Sequence, residues 1–461
     1  MNTHISKLTF GILMGAALVF SPEQAGAASP AAADADQIMV MISIDGLAAF
    51  YFDDPKAEMP TIRALAADGA HATMMKASTP SVTWPNHTTL VTGVNPAKHG
   101  VVGNNYFDRS TGVPVTLIAD PVFDKDQIIK VPTLYDLAKA KGWKTTAIRW
   151  PATRNAKSLD WMIPDMKTAE TAAQFSTPEL LAECELTGLH LVPDYENSER
   201  MDDLVTGIFN QVVHQHRPRL ALLHVINVDH TQHAKGPRTP EAYAVIKEAD
   251  RQVREVWELL QRDYPGKATL FVVSDHGFSP ITRTILPNVV LRKADLAGAD
   301  GSMKDGPVAV VAQGGSAMIY VRDEAHRSEL LAQVRRAFTD VPGVAKMIGT
   351  EQFKDFGVAD PKDDPHAPDL ILFAEEGSAF GNTAAGDVPF KDKVELTGTH
   401  GHDPNLPHMH ATFVAWGAGI KSGVKLGEIS NTSVAPTIAC MLGLTLTSPD
   451  GPVLEEILIT H

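Results

Sequence analysis

Cysteine is nearly missing from this chain: Cys184 and Cys440 are the only two in 461 residues. There is no Cys-x-x-Cys pair, so thiolate clusters are excluded and any metal site must use oxygen and imidazole ligands. Two cysteines so far apart do not announce a disulfide. A bridge formed in an oxidising compartment and two unpaired buried thiols are both open. Positive charge is also short, with 40 Lys+Arg against 55 Asp+Glu and a net charge of −15. A field of that sign repels nucleic-acid duplexes and anionic membranes, although bound cations can reverse it locally around a small anionic ligand. Internal repeats are lacking, and no low-complexity stretch occurs beyond residues 25–35.

Long hydrophobic runs are lacking too. The run Leu8 to Phe20 is too short to span a bilayer comfortably. Preceded by Lys7 and followed by Ala25-Gly26-Ala27, it reads as a cleavable export signal over residues 1–27, with 28–37 as a mobile tail. The mature chain is then expected to carry no transmembrane segment and to reach the periplasm or the medium.

What is present is ample core material, 44% hydrophobic, in a chain longer than the usual single core of about 250–300 residues. Apolar runs alternate with helical spacing. Ile38–Ile44, Thr145–Arg149, Leu220–Val228 and Ala268–Val273 read as buried strands, with Leu370–Ala374 and Thr412–Trp416 later. Pro60–Gly69, Thr133–Lys141, 202–214, Thr239–Arg262 and Ser433–Leu442 read as helices. The pattern predicts an α/β fold over 38–461, a mainly parallel sheet flanked by helices. An inserted cap lobe at about 280–395 would contain the strand Ser316–Val321 and the helix Glu324–Phe338.

Chemistry-bearing residues fall at the ends of these strands or in adjoining loops. Asp45 follows the first run, Asp229 follows Leu220–Val228, and Asp275-His276 follow Ala268–Val273. His233 lies four residues after Asp229, on the same face if the chain turns helically there. His400 sits in Thr399-His400-Gly401-His402-Asp403. Taken singly, each is an ordinary cap or loop residue. In a doubly wound sheet, however, the carboxyl ends of strands share one rim, so the six converge. They divide into two sets of three, and three protein ligands with an open position is the arrangement of a catalytic zinc. Two such ions can clamp the attacking and leaving oxygens of an in-line displacement. Thr83, in Thr79-Pro80-Ser81-Val82-Thr83-Trp84-Pro85-Asn86-His87, offers a hydroxyl that a metal would activate. The same threonine is expected to cap a helix starting at Trp84-Pro85, whose N-terminus would face a phosphoryl oxygen. Asn104 is a further donor to that oxygen.

These segments resemble the nucleotide pyrophosphatase/phosphodiesterase family of the alkaline phosphatase superfamily. The resemblance runs from about Ile38 to Leu444. It rests on Ile44-Asp45-Gly46, Thr83-Trp84-Pro85-Asn86, Leu90-Val91-Thr92-Gly93, His99-Gly100-Val101-Val102-Gly103-Asn104, Asp229-x-x-x-His233-x-x-Gly236-Pro237, Ser274-Asp275-His276-Gly277 and His400-Gly401-His402-Asp403. It implies an alkaline-phosphatase-like core and two Zn2+. Asp229, His233 and His400 would hold one ion, and Asp45, Asp275 and His276 the other. Thr83 would bridge toward the second ion as the nucleophile of a phosphothreonine intermediate. The Trp84 main-chain N–H and the Asn104 side chain would steady the transferred phosphoryl oxygen. The implied substrate is a small phosphodiester or nucleotide. The chain departs from the family pattern at Ile226-Asn227-Val228, at Ala152 after Trp150-Pro151, and at Trp84, where Phe is frequent. Trp84 would stack on a base or simply pack the lip of the cleft. No Lys-x-Arg pair of the sort linked with phosphomonoesterases follows, which favours diesters, while Arg149 and Arg154 keep monoesters open. A phosphomonoesterase, a phosphonoacetate-hydrolase-like enzyme and a non-catalytic metal-binding protein are the alternatives.

Overall fold

Ile38–Ile44 sends Ile38, Val40, Ile42 and Ile44 into one apolar core and Met39 and Met41 into another. A strand buried on both faces needs neighbours on both edges and a layer of helices above and below. The structure, a computed structural model describing residues 1, 36–118, 123–191, 198–298 and 306–459, provides both. The expected export signal and nearly all of the 28–37 tail lie outside the described residues.

The main sheet has eight strands: β1 (Ile38–Ile44), β2 (Ala70–Lys76), β3 (Thr145–Trp150), β4 (Trp161–Pro164), β5 (Leu220–Val225), β6 (Ala268–Val273), β7 (Phe413–Gly417) and β8 (Val424–Ser430). Their order is β8-β2-β7-β6-β1-β5-β3-β4, and only β7 runs against the rest. The register pairs Ile42 with both Leu223 and Val272, so β1, β5 and β6 end level at one rim. Helices Pro60–Asp68, Ser198–His216 and Pro240–Asp263 cover one face through residues such as Leu65, Phe209 and Val253. Thr83–Thr92, Leu134–Ala140 and Val434–Leu442 cover the other through Leu90, Tyr135 and Ile438. Each fully buried side chain of this kind contributes about 1.5–3 kcal/mol. The long helix Pro240–Asp263 shows why it forms: Val245, Ala249, Val253, Val256 and Leu260 make one apolar stripe, and Thr239 caps it by accepting the Ala242 N–H.

Two sequence expectations change. The run Leu220–Val228 is a strand only to Val225, and a helix, Asn227–Lys235, begins before Asp229. Thr83 is the first residue of the helix Thr83–Thr92, not its cap; Val82 is the N-cap and no side chain caps the turn. Strand β2 and the edge strand β8 beside it were not evident in the sequence because their outward faces are polar and partly exposed.

A second, antiparallel sheet orders Val308–Gln313, Ser316–Val321, Leu370–Ala374 and Val344–Gly349. Leu330, Val334 and Phe338 of the helix Arg327–Phe338 pack on one face of it, and Phe107, Phe353 and Phe356 on the other. A three-stranded sheet, Gly377–Phe380, Ser279–Ile285 and Phe390–Thr399, leads from β6 to the His400 loop. Cys184 is buried, Cys440 is exposed, and they are unpaired. Among the described residues no helix is long and apolar enough to cross a membrane.

Candidate metal centre and active site

Asp45 leaves the end of β1 through Gly46, which has φ of +68°, strained for any other residue, and lies close enough to the Phe278 ring and the Asp229 backbone that a side chain would crowd them. The Gly46 N–H donates to Asp275 Oδ1 at 3.2 Å, which fastens the end of β1 to the residue following β6. Asp45 Oδ2 lies 3.1 Å from His224 Nε2, and His224 Nδ1 lies 3.0 Å from the Arg149 carbonyl. His276 Nδ1 donates to the Gly277 carbonyl at 3.0 Å, so its Nε2 lone pair faces Asp275 Oδ2 at 3.1 Å and Asp45 Oδ1 at 3.3 Å.

The other half assembles from the helix Asn227–Lys235 and the His400 loop. Asp229 and His233 are one helical turn apart, with His233 Nε2 3.4 Å from Asp229 Oδ2. His233 Nδ1 donates to the Gly398 carbonyl and His400 Nδ1 to the Ser81 carbonyl, both at 3.0 Å. Each ring thus keeps its Nε2 lone pair for the site, the usual arrangement for metal-ligating histidine. His400 Nε2 is 3.6 Å from Asp229 Oδ1, and its ring stacks on His276 at 3.6 Å.

Ligand atoms of Asp45, Asp275 and His276 lie within 4.8 Å of one another, as do those of Asp229, His276 and His400. His276 therefore faces both halves. His233 stands at the open side, its ring 5.1 Å from that of His400 and its side chain 39% exposed.

The electrostatics are those of a cation site. Burial, reinforced by Asp275 and Asp229, holds the Asp45 carboxyl well above the usual carboxylate range. Burial pushes Asp275 up to about 8, with Asp229 adding to it and the Gly46 N–H opposing. Burial also keeps His276 and His400 well below the usual imidazole range, hence neutral and able to ligate. Asp45 Oδ1, Asp229 Oδ1, Asp275 Oδ2 and His276 Nε2 are all buried without a hydrogen-bond partner. Each such atom costs about 1–3 kcal/mol, and divalent cations would satisfy all four. The donor set, oxygen and imidazole without thiolate, suits zinc.

Thr83 opens its helix beside this cluster. His87, one turn on, lies with Nδ1 2.9 Å from the Thr83 carbonyl and 3.5 Å from Asp275 Oδ2. The Thr83 hydroxyl does not cap the helix it opens. Asn104 Oδ1 accepts the Trp84 N–H at 2.9 Å. That N–H is thus engaged by Asn104 and not open to a ligand, whereas the Asn104 Nδ2 keeps its donors. The Trp84 indole is fully buried against Val101, Val102, Leu117 and Ile129, so it packs and offers no open face for stacking. Arg149 is buried between Asp165 and Asp202, and Arg154 pairs with Asp124.

Two supporting residues, His224 and Gln232, were not evident in the sequence. His224 had a signal, a lone imidazole inside an apolar strand. Gln232 had none: it donates to the Gly46 carbonyl and accepts from Tyr51, tying the Asp45 turn to the Asp229 helix.

Residues 39–403 match the family described as type I phosphodiesterase / nucleotide pyrophosphatase. The chain is 26% identical over 434 residues to an uncharacterized pyrophosphatase/phosphodiesterase of Schizosaccharomyces pombe, covering 90% of this chain and 78% of that protein. It is 23% identical over 422 residues to a venom phosphodiesterase of Crotalus durissus collilineatus, covering 90% of this chain and 45% of that relative, so it spans less than half of the snake protein. The solved structure of human ectonucleotide pyrophosphatase / phosphodiesterase 5 superposes with a TM-score of 0.70 at 20% identity, covering 92% of this chain and 100% of the human one. The murine counterpart, an inactive threonine-to-alanine form in complex with AMP, gives 0.69 at 19% identity with the same coverage. These last two establish the alkaline-phosphatase-like fold, and with the match over 39–403 the chain belongs to the type I phosphodiesterase / nucleotide pyrophosphatase family.

Proposed function

We propose that this chain is an exported phosphodiesterase or nucleotide pyrophosphatase that uses two zinc ions and a phosphothreonine intermediate. The observation that carries the reading is the cluster of buried, unpartnered ligand atoms on Asp45, Asp229, Asp275 and His276 beside the first turn of the Thr83 helix. Asp45, Asp275 and His276 would hold one ion, and Asp229, His233 and His400 the other, with His276 near both. Zinc, when bound, supplies Lewis acidity that lowers the pKa of a nearby hydroxyl and offsets charge on a leaving oxygen.

The chain's own residues do the rest. Thr83 Oγ1 attacks phosphorus, an O–P bond to Thr83 forms, and the P–O bond to the alcohol or nucleotide breaks as that oxygen takes up a proton. Water then attacks the same phosphorus, the bond to Thr83 breaks, and the threonine hydroxyl regains its proton. Asn104 Nδ2 donates to a non-bridging oxygen in both steps, held by the bond from Trp84 N–H to Asn104 Oδ1. The AMP bound to the murine relative, in a form inactivated at a threonine, agrees with a nucleotide product and a threonine nucleophile here. With Arg149 committed to Asp165 and Asp202, and Arg154 to Asp124, neither is free for the extra charge of a monoester, which favours diesters. The region of about 280–395 serves as a cap lobe over the 38–461 catalytic domain, and residues 1–27 as the export signal.

Thr83→Ala is expected to keep both metals and lose turnover of bis(p-nitrophenyl) phosphate on the order of 10⁴-fold. Near-parental cleavage by this variant removes the nucleophile assignment. A panel of nucleotide diesters, dinucleoside polyphosphates, lysophospholipids, simple monoesters and a phosphonate separates the reaction classes, and a monoester preference in kcat/KM overturns the diester reading. Absence of zinc after gentle purification, without rescue by added zinc, supports a non-catalytic protein instead.

A further inference from the structure

The strands Val308–Gln313 and Ser316–Val321 are joined by only Gly314-Gly315, a tight two-glycine turn. This tip enters the space between two loops of the catalytic half. On one side the Gly315 N–H donates to the His400 carbonyl at 2.7 Å, and a side chain on Gly314 would run into that carbonyl. On the other side lies Gln313, buried and 4% exposed. Its Oε1 accepts the main-chain N–H of Asn104 at 3.2 Å, and its Nε2 donates to the Asn105 carbonyl at 2.5 Å. Gly103 leaves the room for this, since a side chain there would meet Gln313 Nε2.

Asn104 is thereby held at its main-chain N–H by Gln313, at its carbonyl by the N–H groups of Leu117 and Ile118, and at its Oδ1 by the Trp84 N–H. Only the Asn104 Nδ2 hydrogens remain to be aimed. From this juxtaposition we infer that Gln313 is a positioning residue for phosphoryl transfer: it sets the direction of Asn104 Nδ2 from the opposite sheet and so couples the cap strands to the reacting centre. The inference rests on the proposed role of Asn104. Hydrogen-bond donors aimed at a transferring group act through preorganisation, so a donor left intact but misdirected loses most of its effect.

A double-mutant cycle tests this, using full-length zinc-loaded protein and bis(p-nitrophenyl) phosphate. Gln313→Met removes both bonds at similar volume. It is expected to lower kcat by about 10–100-fold, to change KM less than about threefold, and to leave zinc content unchanged. In an Asn104→Ala background the same substitution is expected to have almost no further effect, because the group it aims is gone. Gln313→Glu, which keeps the acceptor for the Asn104 N–H, is expected to lose less, and it runs through the same cycle if Gln313→Met fails to fold. Parental kcat in both Gln313 variants, or losses that add in full to those of Asn104→Ala, overturns the inference while leaving the proposed function standing. A parent protein inactive on every diester of the panel overturns the proposed function itself.

Discussion

Three carboxylates and two imidazoles share one buried cluster here, and at the level of single residues that is a conflict. Asp45, Asp229 and Asp275 repel one another, and burial already disfavours the charged forms of Asp45 and Asp275. Without a cation, Asp275 is expected to hold a proton at neutral pH, since burial moves it up to about 8. Asp275→Asn keeps the shape and the acceptor for the Gly46 N–H, and is neutral at every pH without the cost of holding a proton. Such a variant is expected to melt at the parental temperature or above it when metal-free, yet to lose the upward shift that zinc produces in the parent. Thermal unfolding with and without zinc checks this. A metal-free variant clearly less stable than the parent would show that Asp275 supports the fold through its charge.

The helix Asn227–Lys235 shows how an element is positioned by a residue far away in sequence. Its N-cap, Ile226, has no side chain able to cap. Asp202, from the helix Ser198–His216, instead accepts the N–H groups of Ile226 and Asn227 at 3.1 and 2.8 Å and lies 3.5 Å from Arg149. Asp202→Ala leaves those N–H groups unsatisfied at the turn that carries Asp229. The expected cost is about 2–4 kcal/mol in urea unfolding, together with weaker binding of one zinc equivalent. An unchanged urea midpoint removes this role. The same detail explains what the sequence could reveal. β1, β5 and β6 and the acids after them were legible because a strand buried on both faces is a continuous apolar run. The point where β5 ends was not, because Ile226 and Val228 continue the β-branched pattern and the cap arrives from Asp202, 24 residues away. The Gln313–Asn104 contact, spanning 209 residues, leaves no local trace either. Thr83 was legible as the start of a helix, but its freedom from capping appears only once Val82 is seen to occupy the cap.

At the scale of the whole molecule, the rim where β1, β5 and β6 end gathers buried carboxyls, and stability is expected to depend jointly on pH and metal. Burial raises Asp165 and Asp202 to about 6 even with Arg149 between them, and raises Asp275 to about 8. A carboxyl whose folded pKa exceeds its unfolded value near 4 binds more proton in the folded state across the interval between the two. Its contribution is therefore present at low pH and is lost as pH rises through the folded value. The metal-free fold should lose stability as pH climbs from about 4 to 6 through Asp165 and Asp202, and again toward 8 through Asp275. Zinc, bound as proposed, would act in the opposite sense: it would have to displace the Asp275 proton, so its affinity is expected to rise by up to one decade per pH unit until about pH 8. At saturating zinc that adds up to about 3 kcal/mol between pH 6 and 8. The melting temperature in excess zinc minus that in EDTA is thus expected to widen by several degrees between those pH values, because the metal-free fold loses stability that the zinc-bound fold, with Asp275 already unprotonated, keeps. Scanning calorimetry on the full chain at about pH 6, 7 and 8.5 measures both arms. A gap that stays constant or narrows toward high pH means the buried carboxyls carry no excess protons in the metal-free fold, and the charge conflict that makes this rim a cation site would then be absent.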